Sequence, residues 1–192
     1  MADYFPAFLD LRRRRCLVVG GGAIGERKVR DLLECGAHVT VVSPAVTSGL
    51  GSLVTAGLMR HRARKFLRSD VRGCALVITA TGSARVDDAV AAEARRRNVL
   101  VNVVDRPAHC DFLVPSVLRR GELQVAVSTG GRSPALAREI RRRLEPLFGP
   151  QLGEVVEQMG RERTRARAVA LTPAARIDAG ENVVALALPH LC

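Results

Sequence analysis

Short runs of apolar and β-branched residues alternate with stretches of helical periodicity through the first half of the chain. The runs that have the length of a buried strand are Cys16–Val19, His38–Val42, Leu58–Arg62, Ala75–Ala80 and Val99–Val103. Helices are predicted between them at Gly25–Glu34, Val46–Thr55 and Arg85–Arg97. Strands that alternate with helices of about ten residues are typical of βαβ units in a parallel sheet. We therefore predict a doubly wound α/β domain.

A different pattern begins after Asp105. Two extended runs, Phe112–Arg119 and Leu123–Ser128, follow each other closely and are joined by Arg120-Gly121. A link of this length and composition is typical of a β-hairpin and leaves no room for another crossover helix. The chain is therefore predicted to leave the parallel sheet at this point.

Helical patterns follow the predicted hairpin. Ser133 suits the N-cap and Pro134 the first position of a helix that runs to about Phe148. A second helix, dense in charge, is predicted over residues 151–167. The periodicity is lost beyond Leu171, where we expect a poorly packed tail.

The turn after the first predicted strand carries the pattern G-x-G-x-x-G, spelled Gly20-Gly21-Gly22-Ala23-Ile24-Gly25. Gly20 permits the tight turn, Gly22 lets the backbone approach a pyrophosphate, and Gly25 lets helix and strand pack closely. The N–H groups at the start of the helix then face the phosphate charge. The pattern predicts a Rossmann-type dinucleotide site, with a glycine-rich turn that holds no ligand as the alternative. The residues assigned to this site are Gly20, Gly22, Ala23, Ile24 and Gly25.

Two further strand ends are predicted to border the cofactor. Ser43 and Pro44 stand where an acidic residue usually binds the ribose 2′-hydroxyl. Because Ser43 can bind that hydroxyl without repelling a 2′-phosphate, the residues favour NAD over NADP less strongly than a carboxylate would. After the fourth strand, Thr79, Ala80 and Thr81 lie where small residues can pass close to the nicotinamide ribose. A plain strand-to-helix turn explains this second segment equally well.

Asp105 follows the fifth predicted strand, at the edge of the sheet where open α/β folds bind ligands. A carboxylate at this place can accept a proton as hydride leaves a carbon, and the alternative is an aspartate that caps a turn. His109, Cys110 and Asp111 crowd the same loop. Their spacing matches no standard zinc pattern, so we expect no metal site, and we expect Cys110 to be a packed thiol.

A second candidate site opens the helix that follows the hairpin. The segment 128–133 reads Ser-Thr-Gly-Gly-Arg-Ser and offers hydroxyls, N–H groups and a guanidinium, which suit a carboxylate or a phosphate. Simple capping of the helix explains Ser133 but not the paired glycines. The residues assigned to substrate binding here are Ser128, Thr129, Gly130, Gly131 and Arg132.

The net positive charge of the chain favours an anionic partner but does not identify which one. The 30 lysines and arginines exceed the 19 acidic residues, which gives a net charge of +11. Such a charge fits a nucleic acid, an acidic membrane or a polycarboxylate metabolite, while genomic base composition is an equally good reason for the arginine excess. Aromatic residues make up only 3% of the chain, too few for a surface on which bases stack.

Cysteine usage and the absence of targeting signals indicate a cytoplasmic protein. The five cysteines are scattered and contain no C-x-x-C pair, which favours reduced thiols over disulfides or zinc. The first residues carry acidic side chains ahead of an arginine run, unlike a signal peptide, and no stretch reaches the roughly 18 apolar residues that a membrane span needs.

Several segments together resemble the precorrin-2 dehydrogenase and sirohydrochlorin ferrochelatase family, the N-terminal module of siroheme synthases. They occur in the family's order over roughly residues 1–150. The Asn-Val-Val-Asp and Ser-Thr-Gly-Gly-x-Ser-Pro motifs among them are more specific than the glycine pattern. The segments are Tyr4-Phe5-Pro6 with Phe8 and Leu11, Cys16–Val29, Val39–Pro44, Ala75–Thr81, Asn102–Asp105, Cys110–Pro115 and Ser128–Ala137.

The resemblance implies a homodimer with an NAD-binding Rossmann domain, a β-rich dimerisation region and a small helical C-terminal part. It implies that NAD takes a hydride from the tetrapyrrole precorrin-2, which yields sirohydrochlorin. Asp105 would be the catalytic acid/base, with Val104 beside the cofactor. Ser128 and its neighbours, together with His109, would bind the tetrapyrrole. Ser43 in place of an acid is usual in this family, which strengthens the expectation of NAD, and a polycarboxylate substrate suits a cleft rich in arginine.

These expectations divide the chain into an NAD-binding domain over residues 1–111, a dimerisation region over 112–149 and a short helical region over 150–192. The match to the family is lost after about Arg167, which leaves open a second activity, the insertion of Fe2+ into sirohydrochlorin. In that reaction Asp105 would take protons from the pyrrole nitrogens.

Two non-catalytic alternatives are a dinucleotide-sensing DNA-binding protein and an NAD-binding regulatory module of a transporter. The first lacks a recognisable helix-turn-helix, and the second has no need of the loop at 128–133. We therefore expect neither a nucleic acid nor a membrane as a partner.

Overall fold

The computed structural model describes residues 4–169 of the chain. This part divides into two compact units, the first ending at Val114 and the second beginning at Pro115. The tail predicted beyond Leu171 lies outside the described residues. The separate region predicted over residues 150–192 therefore stays a prediction.

The first unit is built on a five-stranded sheet in which every neighbouring pair of strands is parallel. The strand order is β3-β2-β1-β4-β5, so the chain reverses its direction of winding between β1 and β4. This arrangement confirms the doubly wound α/β fold predicted from the alternation of strands and helices. The strands are β1 (Arg15–Val19), β2 (His38–Val42), β3 (Arg60–Arg62), β4 (Leu76–Thr79) and β5 (Leu100–Val103).

Helices cover both faces of this sheet. The helices are α1 (Ala23–Glu34), α2 (Ser48–Thr55) and α3 (Ala84–Arg96), with short 3₁₀ helices at Arg68–Val71 and Pro107–His109. Cys16 and Val18 of β1 pack on the face that α1 and α2 cover, whereas Leu17 and Val19 pack on the face that α3 covers. Because both faces are buried, the central strands are continuously apolar rather than alternating.

The carboxyl ends of four strands lie side by side in register. Val42, Val19, Thr79 and Val103 are Cα partners across β2, β1, β4 and β5. The residue that follows each of these strands donates its N–H to the last residue of a neighbouring strand, for example Ala80 to the Val19 carbonyl at 2.8 Å. The loops after these strands therefore start from one straight edge of the sheet.

The second unit contains the predicted hairpin and the helices after it. Its strands β6 (Ser116–Arg120) and β7 (Leu123–Val127) are antiparallel, and α4 (Pro134–Leu144) packs against both. The helix α5 (Leu152–Val169) follows. None of the helices within residues 4–169 combines the length and the apolar character that a membrane crossing requires.

Several element boundaries differ from the prediction by one to four residues. The first strand of the hairpin starts at Ser116 instead of Phe112, because Pro115 has no N–H to donate and Phe112 packs against the core of the first unit. The helix predicted to reach Phe148 ends at Leu144, and a 3₁₀ helix over Glu145–Leu147 follows it. The third strand starts at Arg60, two residues later than predicted.

Candidate functional site

The glycine turn after β1 is so tightly packed that two of its positions exclude a side chain. Gly20 has φ +115°, and a Cβ atom there would lie 2.3 Å from the carbonyl oxygen of Ala80. A Cβ atom on Gly25 would lie 2.3 Å from the Gly20 carbonyl oxygen. Real Cβ atoms do not approach backbone oxygens this closely, so glycine is required at both positions for the turn and for the packing of α1 on the sheet.

Gly22 differs from these two glycines, because a Cβ atom there would meet no protein atom within 4 Å. It is exposed and forms the N-cap of α1, where no side chain caps the helix. The first N–H groups of α1, which Ala23 and Ile24 begin, are therefore open to a ligand, and the helix dipole favours an anion there. This open cradle fits the pyrophosphate of a dinucleotide.

The loop after β2 is fixed against the same turn. A Cβ atom on Gly21 would lie 2.2 Å from the Ala45 carbonyl oxygen and 3.0 Å from the Cβ of Ser43. The Thr47 N–H donates to the Gly21 carbonyl at 3.0 Å, and the Thr47 hydroxyl donates to the Glu26 carboxylate on α1 at 2.5 Å. The two predicted cofactor segments are thus joined by hydrogen bonds from both the backbone and the side chain of one threonine.

Ser43 and Pro44 both lie on the carboxyl edge of the sheet. Ser43 is half-buried, and its carbonyl oxygen lies 2.9 Å from Nε2 of His61, which holds the end of β2 in place. Pro44 is exposed. Both residues are therefore in a position to border the ribose that lies beyond the end of this strand in dinucleotide-binding folds.

The prediction that Thr79 contacts the cofactor is wrong, because its side chain is fully buried. The Thr79 hydroxyl donates to the carboxylate of Asp87 in the first turn of α3, and the Thr81 hydroxyl donates to the same oxygen at 2.7 Å. Ala80 and Thr81 are half-buried and stay candidates for cofactor contact. Asp87 is a residue that the sequence reasoning missed, although its spacing from Val90 and Ala94 placed it on the apolar face of α3.

Asp105 lies two residues beyond β5 with a strained backbone. Its φ is +59°, a conformation that costs a non-glycine residue about 1 kcal/mol or more and that aspartate tolerates better than most. Its side chain is exposed, and the preceding residue, Val104, donates its N–H to the Thr79 carbonyl at 3.0 Å. A strained, exposed carboxylate at the ligand-binding edge of the sheet is well placed to exchange protons with a ligand.

Charged side chains surround the Asp105 loop. Arg106 donates to Asp88 at 2.7 Å, and its second Nη lies 3.0 Å from Nε2 of His109. Lys28 on α1 is a further residue that the sequence reasoning missed, although it is one of only two lysines in an arginine-rich chain. Burial lowers the pKa of the Lys28 ammonium, while the carboxylates of Asp31 and Asp105 partly offset that effect. Lys28 is thus a cation within electrostatic reach of Asp105.

The rest of this loop has a structural role. The Cys110 sulfur lies 3.2 Å from both the N–H and the carbonyl oxygen of Val103, and burial raises the pKa of its thiol. The Asp111 carboxylate accepts the Val101 N–H at 3.0 Å. Both side chains therefore form hydrogen bonds with backbone groups of β5, the strand at one edge of the sheet. Within residues 4–169, no group of three His, Cys, Asp or Glu side chains is arranged to hold a metal ion.

The residues predicted to bind substrate in the segment 128–133 lie in the second unit. Gly130 and Gly131 both have positive φ, which forms a tight loop ahead of α4. The Ser128 hydroxyl accepts the Gly130 N–H at 3.2 Å, and the Thr129 hydroxyl accepts the Ser133 N–H at 3.0 Å. Ser133 caps α4 as predicted, by accepting the Leu136 N–H. Arg132 projects from this loop as an exposed side chain.

Comparison with known proteins identifies relatives for both units. A family model described as putative NAD(P)-binding matches residues 7–116, and a model described as the central part of sirohaem biosynthesis proteins matches residues 120–146. The chain is 45% identical over 166 residues to the siroheme synthase of Nitrosomonas europaea, and 49% identical over 153 residues to that of Methylobacillus flagellatus. These alignments cover 86% and 80% of this chain but only 35% and 33% of the relatives. The chain therefore spans about a third of the length of these relatives.

A solved structure shares the fold over nearly the whole chain. The protein described as SirC, precorrin-2 dehydrogenase, superimposes with a TM-score of 0.76 at 26% sequence identity. The match covers 91% of this chain and 86% of that protein. Since the first family model matches more than half of its residues, the chain belongs to the NAD(P)-binding family of the sirohaem biosynthesis proteins.

Proposed function

We propose that this chain oxidises precorrin-2 to sirohydrochlorin with NAD as the hydride acceptor. The observation that carries the proposal is the straight carboxyl edge of the sheet, where the glycine turn after β1 and the Asp105 loop after β5 start from strands in register. Only β4 separates them. A dinucleotide and a proton-accepting carboxylate can therefore serve one substrate at this edge. The likeness to the precorrin-2 dehydrogenase structure supports this substrate.

The first unit supplies the residues that would bind the cofactor. The pyrophosphate would lie in the open cradle at Gly22, on the N–H groups of α1, with Ser43 beside the adenosine ribose. The nicotinamide half would extend along Ala80 and Thr81 towards Val104. When bound, the dinucleotide supplies the site that accepts the hydride. We choose NAD over NADP because Ser43 can bind a ribose 2′-hydroxyl, and because a serine here is usual in the family that the sequence resembles.

Asp105 would act as the acid/base. Oxidation of precorrin-2 removes a hydride, which goes to the cofactor, and a proton, which the Asp105 carboxylate accepts and passes to water. The exposure of Asp105 allows both transfers.

The loop at 128–133 and the basic side chains would bind the carboxylates of the tetrapyrrole. Arg132 offers a guanidinium that can pair with a carboxylate, and the glycines expose N–H groups. We also propose that His109 contacts the substrate. We further propose that the chain is cytoplasmic and that it forms a homodimer. Sedimentation of the purified protein would test whether it is a dimer.

The direct test supplies purified protein with precorrin-2 and NAD and follows NADH and sirohydrochlorin together. The proposal expects equal amounts of the two products, and an absence of NADH formation above the uncatalysed rate would reject it. A parallel reaction with sirohydrochlorin and Fe2+ but no NAD tests the alternative that the chain is both a dehydrogenase and a ferrochelatase. Iron insertion above the uncatalysed rate would add a chelatase activity, and its absence would restrict the chain to dehydrogenation.

A further inference from the structure

A buried carboxylate lies behind the site, and the mechanism above does not use it. Asp87 is only 6% exposed, on the face of α3 that Val90, Ala91 and Ala94 pack against the sheet. An unpaired carboxylate on such an apolar face is costly to bury. Asp87 instead accepts two hydroxyl donors on one oxygen, from Thr79, which is fully buried, and from Thr81 at 2.7 Å.

The strand end that Asp87 binds forms the boundary between the two halves of the site. On one side, the Ala80 carbonyl oxygen lies against Gly20 so closely that a Cβ atom there would be 2.3 Å away. On the other side, the Thr79 carbonyl accepts the N–H of Val104, the residue before Asp105, at 3.0 Å. A displacement of this strand end would therefore move the glycine turn and the Asp105 loop relative to each other.

Thr81 fixes the start of the turn that leaves this strand end. Its hydroxyl also accepts the Ser83 N–H at 3.1 Å, so the turn between β4 and α3 is closed by the same hydroxyl that Asp87 holds. Thr79 and Thr81 flank Ala80, and both side chains are bound from behind the site. Ala80 is thereby held between two fixed neighbours, with its backbone at the carboxyl edge.

We propose that Asp87 is a positioning residue for hydride transfer, which acts through Thr79 and Thr81 to hold the end of β4 between the dinucleotide and Asp105. The inference deepens the proposed dehydrogenase function and rests on it. Asp87 touches neither cofactor nor substrate in this role. What it supplies is one carboxylate oxygen that two hydroxyls share.

The test compares Asp87→Ala with Asp87→Asn. Because both hydroxyls donate to a single oxygen, the amide oxygen of asparagine can accept both. Alanine removes the acceptor of the buried Thr79 hydroxyl and leaves Thr81 only the Ser83 carbonyl oxygen at 3.3 Å. We expect Asp87→Ala to lower kcat for precorrin-2 oxidation about ten- to a hundredfold, since small misplacements cost this much, and to weaken NADH binding several-fold. Asp87→Asn should stay within about threefold of the wild type in both measurements.

Glu93→Ala is the matched control for a loss of stability. Glu93 is on the same helix and is 3% exposed, but its carboxylate accepts hydrogen bonds from Arg96 and Arg97 instead of from the threonines of the strand end. Both alanine variants should unfold at lower urea concentrations, and activity is compared under conditions in which all the proteins are folded. Only Asp87→Ala should lose turnover and NADH affinity. Thr79→Val, which keeps the side-chain shape, should reproduce part of that loss.

The possible outcomes separate this inference from the proposed function. If the wild type does not oxidise precorrin-2, the dehydrogenase function is rejected. NADH titration of the wild type and of Asp87→Ala would then show whether Asp87 still holds the strand end beside the dinucleotide site. Active wild type with an equally active Asp87→Ala variant would overturn the positioning role. Equal losses in Asp87→Ala and Glu93→Ala, or no rescue by asparagine, would overturn it as well.

Discussion

At the scale of single residues, the glycine turn shows how one motif combines two kinds of requirement. Gly20 and Gly25 are fixed by the protein's own backbone, because a Cβ atom at either would overlap a carbonyl oxygen. Gly22 is fixed by nothing within the protein, since its Cβ position is open. The spacing of the motif predicts all three glycines from the sequence, but only the structure separates those that fold the turn from the one left for a ligand.

Gly22→Asp should abolish NADH binding with little change in stability. The new carboxylate would occupy the phosphate cradle and repel the pyrophosphate, while aspartate is a good N-cap, so the free energy of unfolding should change by only a few tenths of a kcal/mol. Titration with NADH and urea denaturation measure the two effects. Gly51→Asp, on α2 with an equally open Cβ position, is the control and should bind NADH normally. Normal binding by Gly22→Asp would place the cofactor elsewhere.

Gly20→Ala should instead destabilise the first unit by about 3 kcal/mol, from strain at positive φ together with the overlap with Ala80. Gly57→Ala separates the two causes, because Gly57 has φ +70° but open space around it. That variant should lose only about 1 kcal/mol. Urea denaturation compares them, and similar losses at the two positions would show that the close approach to Ala80 does not matter.

At the scale of elements, periodicity predicted the parallel strands and the helices well because both faces of the sheet are buried. The predicted helix 85–97 is α3 (Ala84–Arg96) to within one residue. Periodicity predicted the helix but not what Asp87 binds, since its partners Thr79 and Thr81 lie outside the helix, on the end of β4 and in the turn after it. For the same reason Thr79 was assigned to the cofactor, although its hydroxyl points to Asp87.

The ion pairs of Glu93 on α3 make stability depend on pH. Hydrogen bonds from Arg96 and Arg97 outweigh burial and lower the pKa of Glu93 from 4.5 to about 2. Since the folded pKa lies below the unfolded one, the stabilisation is complete above about pH 4.5 and is lost as the pH falls towards 2.

Glu93→Gln should therefore be less stable than the wild type at neutral pH, and the difference should shrink below about pH 4.5. Urea denaturation at a series of pH values measures the difference. Glu122→Gln, at an exposed position in the hairpin turn, controls for the loss of one charge. A difference between wild type and Glu93→Gln that stays constant down to about pH 2 would contradict the assigned ion pairs.

At the scale of the whole molecule, the net charge of +11 is the feature that the sequence alone could not interpret. Many of the arginines are bound to acidic neighbours on the protein's own surface, as Arg142 and Arg143 are to Glu139. Such pairs leave the net charge at +11, but fewer of the 30 basic side chains are free to bind a ligand. Whether the excess serves a polycarboxylate substrate is therefore a question for a measurement of binding against salt.

If the basic charge helps to bind precorrin-2, the KM for this substrate should rise on the order of several-fold between low and high salt, because screening weakens attraction between charges. At saturating precorrin-2, kcat should change little. Steady-state kinetics at increasing sodium chloride measures both constants. An unchanged KM would show that the basic charge does not help to bind precorrin-2.

The most direct measurement of the central claim is the rate of NADH formation from precorrin-2 by the wild type and by Asp105→Asn. Asparagine tolerates the positive φ of this position and keeps the shape of the side chain, but it cannot accept the proton. We predict that Asp105→Asn binds NADH as the wild type does and forms it about 10²–10⁴-fold more slowly. An Asp105→Asn variant that oxidises precorrin-2 at the wild-type rate would contradict the claim that this carboxylate and the glycine turn form one catalytic site.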